Sequence, residues 1–214
     1  MKSQVKRAPN ARGEGDRLRQ EILDAATRIL EETGREDALS LRGVAREVGI
    51  SAPSVYLHFK DKAELVSTAL DAAYSALAEV MSEAGETAAA AGAGPWERMR
   101  AIVTAYRRFA IDKPRRYRLM FSLEYEPKRR TSTDEPPIGT VLRAWTDAVD
   151  AYLAETAPDR RAEAQAVGIH LWTALHGQLV LWHTLPGQHA PSESILIELE
   201  QSLLQRLLPV PDPQ

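Results

Sequence analysis

Ser40-Leu41-Arg42-Gly43-Val44-Ala45-Arg46-Glu47-Val48-Gly49-Ile50-Ser51-Ala52-Pro53-Ser54-Val55-Tyr56-Leu57-His58-Phe59-Lys60-Asp61-Lys62 is the stretch whose spacing decides the fold. It reads as two short helices around a tight turn. Ser40 can cap a helix whose apolar positions Leu41, Val44, Ala45 and Val48 recur at three- and four-residue intervals, which gives one buried stripe. Gly49 suits the corner because glycine tolerates the left-handed conformation that stops a helix, and Ile50 can plug the angle behind it. Ser51 offers the next cap. Pro53 falls in the following first turn, where a missing N–H does little harm, and Val55 and Phe59 supply the inward face. Ser54, Tyr56, His58 and Lys60 are left pointing outward.

Two helices so joined form a helix-turn-helix, in which the second helix fits the major groove and nearby hydroxyls and cations hold phosphates. The competing reading is a helix pair in an ordinary bundle whose polar face is merely wet. Hydroxyl, phenol, imidazole and ammonium groups gathered beyond a glycine turn favour the DNA reader.

Charge is distributed to match. The net charge is −3, but residues 1–62 hold twelve Lys/Arg against ten Asp/Glu, while residues 63–214 hold fifteen against twenty. Lys2, Lys6, Arg7 and Arg12 meet no acid before Glu14, so residues 1–15 read as a flexible basic arm, either tracking phosphate or simply solvated. With no cysteine in 214 residues, disulfides, thiol nucleophiles and thiolate metal sites are excluded. The first ten residues lack the apolar run of a signal peptide, and the expected location is the cytoplasm.

The rest of the chain reads as helices without a convincing strand, an all-α fold of about nine helices. Leu18, Ile22, Ala25, Ala26, Ile29 and Leu30 share one face of a first helix from about Asp16 to Thr33. Asp61 and Glu64 make a capping-box pattern that opens a connecting helix over 61–82, a candidate lever. Glycine and alanine crowd residues 84–94, a loose connection before Pro95. Helical spacing resumes through Ile102, Tyr106 and Phe109, then through Tyr117, Met120 and Phe121; residues 124–137 read as a mobile loop. Val141, Leu142, Trp145, Val149 and Tyr152 mark the next helix. Ala166–Leu185 is apolar nearly all round, yet His170, Thr173, His176, Gln178 and His183 argue against a membrane span and for burial against the core and a partner subunit. Residues 192–208 carry a stripe of Leu196, Leu199, Leu203 and Leu207, with Ile197, Leu204 and Leu208 beside it. Gly177 is expected to let paired helices approach closely.

No phosphate loop, nucleophile elbow or zincin pattern is present. Catalytic residues, cofactors and a metal are therefore not expected. The histidines at 170, 176, 183 and 189 lack the spacing of a metal set and read as pocket or core residues. Arg107, Arg108, Arg115, Arg116 and Arg118 read as a solvated basic face, with an anion grip as the alternative.

The helix-turn-helix, the stretch Ser54-Val55-Tyr56-Leu57-His58-Phe59-Lys60 and the following Asp61-Lys62-Ala63-Glu64-Leu65 resemble the tetracycline-repressor (TetR) family of bacterial transcription regulators. Leu171-Trp172-Thr173-Ala174-Leu175-His176-Gly177 is similar to the Trp…His-Gly signature of one subgroup's C-terminal domain. The resemblance implies DNA contact by Ser40, Arg42, Ser54, Tyr56, His58, Lys60 and Lys62, and Ser51 and Ala52 at the head of the second helix complete the candidate set. Ala52 and Leu57 stand where some relatives carry larger polar or aromatic groups, so base reading rests on fewer residues.

The resulting expectation is a DNA-binding domain over 16–62, a C-terminal effector-binding and dimerisation domain over 83–208 and a tail over 209–214. Tyr106, Phe121, Trp145, Trp172 and His176 are the candidate ligand-binding residues, an apolar pocket with a polar handle. The expected partners are a pseudo-palindromic operator in double-stranded DNA, a small apolar or aromatic effector, and a second copy of the chain docked through helices 166–185 and 192–208. The resemblance implies a repressor released by its effector. The alternatives are a helical enzyme or small-molecule carrier, and a constitutive DNA-binding protein without an effector.

Overall fold

The computed structural model describes residues 14–121, 138–185 and 192–210. The basic arm up to residue 13, the loop expected over 124–137, His189 and the tail beyond Val210 lie outside them. Among the described residues there are nine α-helices and no strand. They fall into two compact units, one built on residues up to Leu70 and the other on residues from Asp71.

In the first unit, α1 (Glu14–Thr33) starts two residues before the expected Asp16 and buries Ile22, Leu23, Ala25, Ala26 and Leu30. A single 3-10 turn at Glu36–Ala38 leads to α2 (Leu41–Val48) and α3 (Ala52–Tyr56), and α1 packs on α2 and α2 on α3. Leu39, Val44, Val55, Phe59 and Leu65 close the small core.

α4 (Lys62–Ala90) gives its residues up to Leu70 to this unit and the rest to the second. The connecting helix expected to end at 82 therefore runs eight residues further, and the loose connection over 84–94 contracts to a turn whose Gly92 has φ +81°. Alanine is the strongest helix former, so an alanine-rich stretch continues a helix unless something stops it. Gly85 lies inside that helix, and a Cβ there would meet the Ile102 side chain at 3.1 Å, a close approach that the glycine permits.

The second unit continues with α5 (Pro95–Asp112), α6 (Pro114–Met120), α7 (Ile138–Thr156), a 3-10 stretch Pro158–Glu163, α8 (Ala164–Thr184) and α9 (Glu193–Leu207). Its central packing is α7 on α8, with α5 against α7 and α9 against α8. Gly168 is the glycine that permits close approach within the chain: a Cβ there would meet the Thr146 backbone nitrogen at 3.1 Å. Gly177 has nothing within 4 Å. The inner row of α9 is Leu196, Glu200 and Leu204, followed by Leu208, whereas Leu199 is 44 % exposed. The stripe expected at Leu196, Leu199, Leu203 and Leu207 is thus turned, and a carboxylate occupies an inward position.

That carboxylate corrects the reading of Arg107 as part of a solvated face. Arg107 is buried on α5, donates from Nε to Glu200 at 3.1 Å and pairs through Nη1 with Glu193. Burial pushes the Glu200 carboxyl above its ordinary range, and the Arg107 guanidinium opposes that shift. Among the described residues, no helix is long and apolar enough to cross a membrane.

Candidate DNA interface and a cleft in the second unit

The reading head is organised by its caps. Ser40 is extended and accepts a hydrogen bond from the Gly43 N–H at 3.0 Å, so its own proton stays available to an external acceptor such as a phosphate. Gly49 takes φ +76°, and the Ile50 N–H returns to the Ala45 carbonyl at 2.9 Å, which closes α2 and turns the chain. Pro53 lies in the first turn of α3. Ser51 does not cap that helix with its side chain as expected: its hydroxyl is 2.7 Å from that of Ser54. One hydroxyl donates to the other, and the accepting hydroxyl keeps its own proton for a further bond.

Two side chains anchor the segment. Val55 and Phe59 are fully buried, and the Arg19 guanidinium from α1 sits 4.7 Å above the Phe59 ring. Backbone bonds from His58 and Phe59 to the Val55 carbonyl, both 3.0 Å, carry the turn past the end of α3. With those anchors inward, Tyr56 is 57 % and Leu57 84 % exposed. Ser40, Arg42, Ser51 and Lys60 are exposed as well, whereas Ala52, Ser54, His58 and Lys62 are half-buried. The nine sequence candidates are thus held in one local segment. Leu57, the most exposed of the large apolar side chains, was left out of that set because an aliphatic residue carries no polar signal.

The start of α4 completes the head. The Glu64 N–H donates to Asp61 at 2.9 Å, and the Glu64 carboxylate reaches back to the Lys60 N–H at 2.6 Å. This reciprocal cap fixes the backbone that carries Lys60 and Lys62.

In the second unit, the five candidate ligand residues converge: Tyr106 and Trp145 are buried, and Phe121, Trp172 and His176 are half-buried. Tyr106 meets Trp145 with centroids 5.4 Å apart, Phe121 meets His176 at 4.3 Å, and Trp172 stacks on His176 at 5.7 Å. Tyr117, absent from the candidates, joins them: its hydroxyl lies 2.7 Å from His176 Nδ1 and 3.0 Å from the Tyr106 hydroxyl. Burial lowers the His176 pKa and raises those of both tyrosines, so the network is held uncharged.

An open volume lies beside other residues. A cleft of about 650 Å³ runs between α4, α5 and α7, and none of the five candidates lines it. Its apolar lining includes Met81, Met99, Ile102, Ala144, Ala148 and Ala151, and its charged lining consists of Glu79, Glu86, Arg98, Arg143, Asp147 and Glu155. Arg98 donates to Glu155 at 2.6 Å across the cleft wall. Small alanines on α7 leave the space, a signal that hydrophobic periodicity alone does not distinguish from ordinary core. Among the described residues, no three His, Asp or Glu side chains are gathered as a metal site.

The chain is similar to known proteins over most of its length. The family model for bacterial regulatory proteins of the tetR family matches residues 22–69, and the model for the tetracyclin repressor-like C-terminal domain matches residues 99–195. The regulatory protein SCO4313 is 26 % identical, with 92 % of this chain and 100 % of that one aligned at a TM-score of 0.67. A TetR-family regulator from Streptomyces coelicolor is 24 % identical over 89 % of this chain and 99 % of its own, with a TM-score of 0.60. FadR from Bacillus subtilis, solved with stearoyl-CoA, shares the fold at 17 % identity, with coverage of 88 % and 96 % and a TM-score of 0.62. With the amino-terminal and carboxy-terminal models of one family matched in order over more than half of its length, the chain belongs to the TetR family of bacterial transcription regulators.

Proposed function

We propose that this regulator binds a pseudo-palindromic operator as a homodimer and is released from it by a small molecule held in the second unit. The observation that carries the reading is the head itself. Buried Val55 and Phe59 turn Tyr56, Leu57 and Lys60 outward beside the capped start of α2, an arrangement suited to a major groove flanked by phosphates. In this reading the DNA-binding domain spans 16–62, and Ser40, Arg42, Ser51, Ala52, Ser54, Tyr56, His58, Lys60 and Lys62 form its contact surface. Leu57 joins them as an apolar contact.

Exposed apolar side chains support the dimer. Ile169, Val180 and Leu181 on α8 and Ile195 and Leu199 on α9 are between 37 % and 52 % exposed, and Gly177 beside them is open to close approach. The cleft supports the effector, because its volume suits a small molecule and its α4 wall belongs to the helix that begins at Lys62 in the head. An effector there lowers DNA affinity only by favouring the arrangement that DNA disfavours, and the operator weakens the effector by the same factor. Stearoyl-CoA bound by the FadR relative is consistent with a small-molecule site in this fold.

The test is an anisotropy titration on duplexes selected by the protein from a random library, combined with sedimentation. Enrichment of an inverted repeat bound by two chains is expected. Leu181→Glu and Leu199→Glu place charges on the exposed face and are expected to yield monomers with weakened operator binding. Intact dimers in both variants would sink the assigned interface.

A further inference from the structure

We infer that the ligand of the α4–α5–α7 cleft is an amphipathic organic cation, an amine or quaternary ammonium carrying an apolar body. This inference rests on the reading of the cleft as the effector site and adds the chemistry of its occupant. The cleft's apolar wall of Met81, Met99, Ile102 and five alanines is adaptable, which suits a hydrocarbon or ring system of variable shape. The charged groups decide the sign. Four carboxylates and two guanidiniums line the space, and Arg98 is already committed to Glu155. The lining therefore carries more carboxylates than guanidiniums, with Glu79, Glu86 and Asp147 outside that pair.

Glu79 and Asp147 come from two different helices of the lining, α4 and α7, both exposed and neither in an ion pair with another described residue. Glu86 accepts a bond from the Ser82 hydroxyl at 2.9 Å, which holds its carboxylate without neutralising it. An anion entering this space meets repulsion from both helices, while a cation is attracted to them and places its apolar part on the floor. A carboxylate, phosphate or acyl-CoA ligand is therefore the wrong charge for this cleft, although stearoyl-CoA occupies the FadR relative. Repulsion against the wrong ligand contributes to this selection as much as attraction for the right one.

The experiment uses the full-length protein and three probes of equal chain length below their micelle concentrations: decyltrimethylammonium, decanol and decanoate. Binding is read by calorimetry and tryptophan emission, and operator release by anisotropy. The expected order is cation, then alcohol, then carboxylate. Glu79→Gln combined with Asp147→Asn should weaken the cation about fivefold, leave decanol unchanged and remove most of the salt dependence. Ala148→Trp, which fills the floor, should block cation and alcohol alike. Equal or tighter binding of decanoate would overturn the inference, as would a full cation preference in the Gln/Asn variant. If the cation binds as described but operator affinity is unmoved, the ligand class stands and the effector reading falls. If other compounds release the operator while the cation does not bind, the effector reading stands and the ligand class falls.

Discussion

The reading head and the cleft are built on opposite plans. In the head, the proposed contact residues lie within residues 40–62, and their directions are set by caps and by two buried anchors inside the same stretch. The cleft draws its lining from Ser75 to Glu155 on three helices. A locally encoded site tolerates change elsewhere but fails when an anchor is lost. A site assembled from distant helices depends on how those helices are held, including by charges that never face a ligand.

The largest effect should come from an anchor. Phe59→Ala removes a fully buried ring and should destabilise the head by about 3–5 kcal/mol, abolishing operator binding. Trp96, Trp145, Trp172 and Trp182 all lie beyond the head, so native tryptophan emission at 25 °C in this variant would show that the damage stays local. A red-shifted emission would break the comparison.

Arg107→Met tests the second plan. It leaves Glu200 buried without its guanidinium and should lower stability by about 3–5 kcal/mol, with most of the loss restored in an Arg107→Met, Glu200→Met double variant. Denaturant titration followed by tryptophan emission is the measurement. Failure of the double variant to recover would show that the pair does more than satisfy itself.

Smaller effects separate two contacts within the head. Tyr56→Ala should cost about 1–3 kcal/mol on the selected operator and little on random DNA. Lys62→Ala should weaken binding to all sequences and reduce the salt slope by about one. Identical losses from both would mean that Tyr56 holds phosphate rather than bases.

The smallest effect is a pH dependence. Burial lowers the folded-state pKa of His176 below its ordinary 6.5, so the unfolded chain takes up a proton first on acidification. The stability contributed by the neutral imidazole is present above pH 6.5 and is lost as pH falls through the folded value. Glu200 has the opposite sign: its raised pKa gives stability present below its ordinary 4.5 and lost as pH rises through the folded value. His176→Gln, which keeps a partner for Tyr117, should flatten the decline in melting temperature between pH 7 and pH 5.5. An unchanged profile would place the proton uptake elsewhere.

Helix positions in the head were legible because capping, the glycine corner and the Val55–Phe59 spacing are short-range rules. The Ser51 side chain was misplaced, since its hydroxyl had two geometrically equivalent uses and took Ser54 rather than the backbone. In the second unit the candidate aromatic residues meet one another, because large rings seek one another's surfaces. That the cleft is lined by other residues depends on which helices stand apart, and small residues such as Ala144 and Ala148 look alike in cleft and core.

By itself the sequence determined the all-α class, the helix-turn-helix, the Ser40 cap, the Asp61–Glu64 cap and the outward character of Tyr56 and Lys60, because each follows from contacts within a turn or two of chain. Only the tertiary structure decided that α4 continues to Ala90, that Gly168 is the close-contact glycine, that Arg107 is buried with Glu200, and that the open space is bordered by carboxylates. Those outcomes turn on which face of one helix meets which face of another, and periodicity specifies that a face is apolar without specifying its partner.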